Sequence, residues 1–513
     1  MNSEQNELKK SYEDSPYLSY CYQESSLERA RFLAALYGLS GLEKSPLKVL
    51  ELGCASGGNI IPMAYRNPRD HFCGIDLSPN QITEAEKLVS RLELSNISFY
   101  AESFESDIFA EKKFDYIIAH GLFSWIPKEA QETLLSKICS WLSPSGVAYV
   151  SFNSYPGWHL RQMVREMLRS HLDPCLSASD AHSHALRFLG SILEGTPLRE
   201  SGFSTVIKEI RDDIQLSDPT HFVHDYLEVF NNPVSILEFG EALSRHSLLY
   251  FADSHLTHID GIGLPQAVSQ AVLSLCKNDL VKREQYFDYF TCRPFHAAFI
   301  THASAPLRET LTEESFPENT KILSRVRISG EPGGKLERID SGQIVEISNP
   351  FAIEALSYLG SRHPNLVSVE ELTGECGGDT PENRRKVIGF LLHVFPRRLV
   401  ELFVGFEQIR LLEPDDAIHL DSLVSHYADR QVVIPNAYHQ SVTIDPASRD
   451  LIRILAQEGS LKEALSKLRE IYRGDQTITA LLSKAGFLHD CSRHFSQNAL
   501  SFELVTSKSS QDH

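Results

Sequence analysis

The stretch Val49-Leu50-Glu51-Leu52-Gly53-Cys54-Ala55-Ser56-Gly57-Gly58 decides the fold. Lys48–Leu52 reads as a short strand, and Asn59–Tyr65 beyond the glycines as a helix. Glycine lets a backbone pass close beneath a ligand with no Cβ in the way. The first turn of the following helix offers free N–H groups. Dinucleotide-binding turns want G-x-G-x-x-G. Here the pattern is E-x-G-x-x-x-G, with Ala55 where a middle glycine often sits. The Glu51 carboxylate is badly placed beside a pyrophosphate and well suited to a positively charged amino-acid ligand.

Working outward, short apolar runs alternate with amphipathic stretches. Phe72–Asp76, Ile97–Ala101, Phe114–Ala119 and Val147–Asn153 read as strands. Pro79–Leu92 and Lys128–Leu142 read as helices. Such alternation with short connections implies a mostly parallel, doubly wound sheet, and ligands bind such sheets at the carboxyl ends of their strands. The second strand ends in Gly74-Ile75-Asp76-Leu77-Ser78, with Asp76 placed 23 residues after Gly53, where a carboxylate accepts ribose hydroxyls. The third ends in Ala101-Glu102-Ser103-Phe104, which offers an acceptor for an exocyclic amine and an apolar side chain for a ring. The fourth ends in Ile118-Ala119-His120-Gly121. Together the four ends fit one nucleoside joined to a cationic amino acid.

Upstream, an aromatic start (Tyr12, Pro16, Tyr17, Tyr20, Tyr22) precedes a helix expected over Ser26–Leu39; these tyrosines are candidates for a lid, with loop anchoring as the alternative. From Leu160 to about His246 apolar residues recur at helical spacing, which predicts a helical insertion. Leu248–Ala252 and Phe295–Thr301 then read as a sixth and a seventh strand. The expected division is therefore 1–159 for the cofactor-binding core, 160–246 for a helical regulatory or dimerisation insertion, and 247–305 for the last two strands of the core. A polar linker leads to two segments that echo each other. Gln343–Pro350 opens a helix at Phe351–Leu359, and Gln440–Pro446 opens one at Ser448–Gln457, each with Asn or Asp as N-cap and Pro next. Short apolar strands follow at Leu399–Val404 and Phe487–Leu488. These features predict two winged-helix-like α+β modules, 310–413 and 414–513.

The chain has 513 residues, enough for about three domains. Its formal net charge of −19 disfavours nucleic acid as main substrate. The start Met1–Glu7 is polar and acidic rather than signal-like, and no apolar run reaches the roughly 18 residues of a membrane span. The nine cysteines form no C-x-x-C pair, so neither a zinc site nor a disulfide framework is expected. A cytoplasmic location without stable membrane insertion is the expectation.

The segments Val49–Asp76, Phe114–Pro127 and Val147–His159 resemble the class I S-adenosylmethionine (SAM)-dependent methyltransferases. More narrowly, they resemble bacterial methyltransferases with a methyltransferase regulatory domain, among them the rickettsial protein-lysine methyltransferases. Tyr12–Tyr17 and Phe222–Glu228 share the resemblance, which covers about residues 10–305. It implies a Rossmann-like seven-stranded sheet with SAM as cofactor and no metal. Glu51, Gly53 and Gly57 would hold the methionine part of SAM, Asp76 the ribose, and Glu102 with Ser103 the adenine. Tyr20, Cys54, Ala55, Asn59, Leu77, Gln81, Phe104 and Ala119 would complete the shell, with His120 at the methyl-transfer end. Ala55 and Glu102 depart from the commoner residues of the family.

Methyl transfer from a sulfonium is an in-line displacement that needs the nucleophile about 3 Å from the methyl carbon. A lysine nucleophile must first lose a proton, which costs roughly 4–5 kcal/mol at pH 7 from a free pKa near 10.4. An apolar aromatic pocket lowers that cost by desolvating the ammonium. The candidates for such a pocket are Trp125, Tyr155 and Trp158, with His120 and His159 as polar partners; core packing or helix capping is the alternative for these side chains. Three functions stay open: a methyltransferase acting on protein lysine, one acting on a small molecule, and a catalytically idle SAM-binding scaffold. A homodimer also stays open.

Overall fold

The computed structural model describes residues 19–406 except 199, 260–263, 309–310, 329–333, 340 and 364. Beyond these it describes 423, 426–427, 433–436, 438–444, 449–454 and 461–471. The chain forms two compact units, Met1–Ser19 with Leu39–Glu309, and Tyr20–Gly38 with Thr310–His513. Helix α1 (Leu27–Leu36) therefore belongs to the second unit rather than to the cofactor-binding core assigned to 1–159.

In the first unit β1 (Lys48–Leu52), α2 (Ile60–Arg66), β2 (His71–Asp76), α3 (Pro79–Arg91), β3 (Ile97–Ala101), β4 (Phe114–Ala119), α4 (Lys128–Trp141) and β5 (Leu142–Asn153) alternate. The expected doubly wound pattern is thus present. α3 shows why these segments fold as they do. Ser78 caps it by accepting from the Gln81 N–H, Pro79 opens it, and Ile82, Ala85 and Leu88 form its buried stripe. The sheet has seven strands in the order β3-β2-β1-β4-β5-β7-β6, where β6 is Leu248–Asp253 and β7 is Phe295–His302. β1 to β5 pair in parallel, and β7 runs antiparallel to both β5 and β6. The carboxyl ends of β1–β6 and the start of β7 consequently share one edge. Leu50, Ile117, Ala148, Val150 and Phe152 form the sheet side of one core with Leu134, Ile138 and the fully buried Trp141.

The helical stretch differs from its expected limits. α5 (Gly157–His171), α6 (Ala178–Gly195), α7 (Gly202–Leu216) and α8 (Pro219–Tyr226) build a separate core from Val164, Leu168, Ala185, Leu189, Ile207, Ile214 and Phe222. α9 (Ile236–Arg245) instead packs Ile236, Phe239 and Leu243 into the core of the sheet. The bundle thus ends near Tyr226 rather than at residue 246. Between β6 and β7 lie α10 (Gln266–Cys276) and α11 (Leu280–Thr291), neither of which is among the elements expected from the sequence. The buried residues of α11 are Glu284, Gln285, Phe287 and Asp288, so its inner face is mostly polar.

In the second unit α1 sets Phe32 against Phe316 and Phe395, with ring centroids 5.8 and 5.5 Å away. It also pairs Arg29 with Glu401, both buried. The strands β8 (Thr320–Ser324), β9 (Val326–Ile328), β10 (Lys335–Arg338) and β11 (Ile344–Glu346) lead to α12 (Pro350–Arg362). Asn349 caps α12 and Pro350 opens it, as the sequence predicts. β12 (Val367–Ser368), α13 (Val369–Glu375), α14 (Pro381–Val394) and β13 (Val400–Val404) follow, and β8 pairs with both β12 and β13. Farther on, β14 (Val433–Pro435) pairs with β15 (Ser441–Thr443). The expected cap at Asp445-Pro446 and the expected strand at Phe487–Leu488 lie outside the described residues. No helix among the described residues is long and apolar enough to cross a membrane.

Candidate functional site

The turn after β1 has the backbone that its glycines imply. Gly53 and Gly57 sit at φ +72° and +80°, and Ala55 takes φ +46°. The N–H groups of Gly53 and Cys54 both donate to the carbonyl of Ile75, which ties this turn to the end of β2. A Cβ on Gly57 would come 2.6 Å from Ile61 and 3.0 Å from the Phe99 ring. A Cβ on Gly74 would come 2.5 Å from Phe99 and 2.8 Å from Cys54 Sγ. The turn is therefore packed from below, while Gly53 itself is exposed at the sheet edge.

Two carboxylates meet here. Glu51 is 3% exposed, and its Oε1 accepts from Asn59 Nδ2 over 2.6 Å. Its Oε2 is buried and has no hydrogen-bond partner among the described residues. Burial pushes the Glu51 carboxyl up to about 8; the Asn59 bond pulls it back and the nearby Asp76 adds to the rise. Asp76 Oδ2 accepts from the Ala55 N–H and Oδ1 from the Ser78 N–H, each at 2.9 Å. Burial raises Asp76 against these bonds. The Leu77 N–H also contributes, and since a carboxylate offers about four acceptor positions, Asp76 still has capacity for a ligand donor. The Cys54 thiol is buried beside both carboxylates and is held well above the usual thiol range, first by burial.

The structure thus brings Glu51, Cys54, Ala55, Asn59 and Asp76 together across the first two strand ends. Gln81 is buried near the start of α3, and Leu77 is half-buried. At the third strand end Glu102 is exposed, Ser103 Oγ accepts from the Glu105 N–H at 3.1 Å, and Phe104 belongs to the core of the sheet. Tyr20 falls in the second unit, while Tyr12, Pro16 and Tyr17 lie outside the described residues. Among the described residues, Ser19 supplies the contact from this N-terminal side, its Oγ accepting from the Gly58 N–H at 2.8 Å.

After β4, Ala119 is fully buried, and His120 Nδ1 lies 3.0 Å from Tyr149 Oη on β5, with the rings stacked. The Gly121 N–H donates to Ser151 Oγ at 2.8 Å. Tyr149, Ser151 and Asn153 alternate along β5 and so share a face. Sequence reasoning missed Tyr149 and Ser151, although polar or aromatic residues at every second position of an apolar strand were a readable signal. Phe295, at the start of β7, sets its ring edge 6.4 Å from His120.

Trp125 and Trp158 meet edge to face at 6.3 Å, and the Tyr155 and His159 rings stack at 4.0 Å. Trp158 is 7% exposed, and its Nε1 is buried with no hydrogen-bond partner among the described residues. His159 is exposed. Burial raises the Tyr155 hydroxyl, with Glu238 and Glu166 adding to the shift. A second chain segment supports this cluster: Asn153 Nδ2 donates to Asn231 Oδ1 at 3.2 Å, and the Tyr155 N–H donates to the Val234 carbonyl at 3.3 Å.

Residues 49–146 match the family described as "Methyltransferase domain", and residues 218–302 match "Predicted methyltransferase regulatory domain". The second match takes in α8, α9, α10 and α11 together with β6 and β7, so it reaches into the sheet itself. An uncharacterized protein of Rickettsia prowazekii is 31% identical over 336 residues, 65% of this chain and 59% of that protein. A second, from Synechocystis, is 26% identical over 258 residues, 48% of this chain and 49% of that protein. The chain thus spans about half to three-fifths of the length of these two relatives. In fold it matches PKMT2 from Rickettsia typhi, solved in complex with AdoHcy, with TM-score 0.80 and 19% identity over 96% of this chain and 100% of that one. Residues 49–146 thus carry a methyltransferase domain, residues 218–302 match the methyltransferase regulatory domain, and SAM is the cofactor that methyltransferase family uses.

Proposed function

We propose that the chain transfers methyl groups to lysine side chains of proteins, with SAM held across the ends of β1 to β4. The observation that carries the cofactor placement is the orphaned Oε2 of Glu51, a buried acceptor at the lip of a glycine turn. A buried carboxyl oxygen left without a partner is costly to keep. A cationic amino group bound there would repay that cost, and SAM carries one. Asp76 would accept from the ribose with the acceptor capacity that its three backbone donors leave, and Glu102 with Ser103 would offer acceptors for the adenine amine. When bound, SAM supplies a methyl group on a positively charged sulfur.

The acceptor side is built by the chain's own aromatics. Trp158 is buried and Trp125 and Tyr155 are half-buried beyond β4 and β5, and a wall of these side chains would favour a neutral lysine amine over its ammonium. Glu166 and Glu238 are exposed close enough to Tyr155 to influence its hydroxyl, and they give an incoming ammonium a favourable field before it is desolvated. His120, whose Nδ1 lies 3.0 Å from Tyr149 Oη, would take part in proton removal. The name PKMT2 of the fold neighbour supports the same direction.

The test is to incubate the full chain with methyl-labelled SAM and a bacterial lysate, then to separate protein from small molecules. Label in methyl-lysine after protein hydrolysis supports the reading. Label confined to the small-molecule fraction overturns it.

A further inference from the structure

At the shared edge of the sheet, β6, α11 and the start of β7 bury a cluster of charges. Asp253 is 3% exposed, and Glu284, Asp288 and His296 are fully buried. Arg293 joins them. Its Nη1 lies 2.9 Å from Glu284 Oε2 and its Nε 3.1 Å from Asp288 Oδ1. His296 Nε2 lies 2.8 Å from Asp288 Oδ2, and its Nδ1 3.5 Å from Asp253 Oδ2. Tyr250 and Thr257 hydroxyls donate to Glu284. Removing charges from water is expensive, and apolar residues of equal volume would fill the space at less cost. What such residues lack is direction, because a planar guanidinium held by two carboxylates fixes the chain that carries it.

That chain is the seat of the aromatic segment. The Gly157 N–H donates to the Arg293 carbonyl at 3.2 Å, and the Ser154 N–H to the Pro294 carbonyl at 2.8 Å. A Cβ on Gly157 would stand 2.3 Å from the Cys292 carbonyl oxygen and 2.5 Å from Pro294 N, so the start of α5 rests directly on this backbone. On the far side, Phe295 faces His120.

We infer that Arg293 is a positioning residue for methyl transfer, its guanidinium fixing the 292–294 backbone on which Tyr155 and Trp158 are seated. The inference rests on the proposed reading that these aromatics form the acceptor wall. It also gives the segment matched to the regulatory domain a mechanical link to the transfer site, since Arg293 and its carboxylate partners all fall inside 218–302.

The test compares the full-length wild type with Arg293→Met, Arg293→Lys and Glu284→Gln. Arg245→Met serves as control because it removes an exposed ion pair with Glu132. The readouts are amide hydrogen exchange, SAM affinity by calorimetry, and label transfer into lysate protein. Arg293→Met is expected to speed exchange over 154–158 by about tenfold or more, with β1 and β4 still protected and SAM affinity kept within about twofold. Transfer should fall by about tenfold, with Arg293→Lys in between because it keeps the charge and loses the fork. A general loss of packing would instead raise exchange across the sheet and weaken SAM binding. If Arg293→Met does not fold, Glu284→Gln, which keeps side-chain volume, carries the same expectation in milder form. Unchanged protection over 154–158 in the folded variants overturns the inference. A wild type that binds SAM yet labels no protein overturns the functional reading instead, and the exchange comparison still decides the positioning role.

Discussion

Asn59 Nδ2 donates to Glu51 Oε1 over 2.6 Å, while the other oxygen of that carboxyl is buried with no hydrogen-bond partner among the described residues. Burial, with Asp76 nearby, lifts the Glu51 carboxyl to about 8, so at pH 7 the ligand-free protein holds it mostly protonated. An ammonium docking on Oε2 favours the ionised form, so SAM binding should release a proton, and affinity should rise with pH up to about 8. Calorimetry at pH 7 in buffers of different ionisation enthalpy reads this directly. A buffer-independent binding enthalpy would count against the assignment. Glu51→Gln should abolish the proton release and weaken SAM by about 10- to 100-fold, the range of a lost hydrogen bond to a charged group.

Asp76 ties two turns together, because its oxygens accept from the Ala55 and Ser78 N–H groups. Asp76→Ala removes those anchors along with the proposed ribose acceptor. SAM binding should drop by more than about 100-fold, as for the loss of two charge-assisted bonds. Asp76→Asn keeps one acceptor oxygen and should fall between the two. Near-wild-type affinity of Asp76→Ala by calorimetry would remove this residue from the cofactor site.

Tyr155→Ala and Trp158→Ala should lower turnover more than SAM affinity, because both side chains lie on the acceptor side of the proposed site. Trp158 is 7% exposed, and its truncation also costs about 3–5 kcal/mol of stability. A thermal melt must therefore accompany the kinetics, with Trp158→Phe as the milder variant. Unchanged methylation by both alanine variants would remove the aromatics from the site.

The same residues show what local pattern carries and what it does not. Glu51 and Asp76 stand out because each closes an apolar strand at the edge where such sheets bind ligands. α11 stays hidden because Glu284 and Asp288 point inward, so its buried face does not register as an apolar stripe. The placement of α1 is equally invisible in sequence. Its partners are Phe316, Phe395 and Glu401, hundreds of residues away, and nothing near Phe32 announces them. α9 reads as one more helix after the bundle, and only its packing of Ile236, Phe239 and Leu243 under the sheet separates it from α8. The Tyr155–His159 segment was legible as an aromatic cluster, but its seat on Arg293 and Pro294 depends on an antiparallel strand from far along the chain.

The buried cluster also sets a pH range for stability. Burial works against a charged His296, yet Asp288 on α11, with hydrogen bonds to Asp253 on β6 and Asp288, outweighs both burial and the neighbouring Arg293, so its pKa rises to about 9. His255 faces the same Asp253 at 3.6 Å. A group whose folded pKa lies above its unfolded value near 6.5 contributes stability that is complete below about pH 6.5. That stability is lost as pH rises through about 9. The wild type should therefore lose up to about 3 kcal/mol between these limits from this group alone. Denaturant titrations at pH 6 and pH 9.5 measure the difference. His296→Asn should be less stable at pH 6 and show a flatter profile. A wild type that is equally stable at both pH values would mean that His296 stays neutral in the folded chain, with Asp253, Glu284 and Asp288 all facing Arg293.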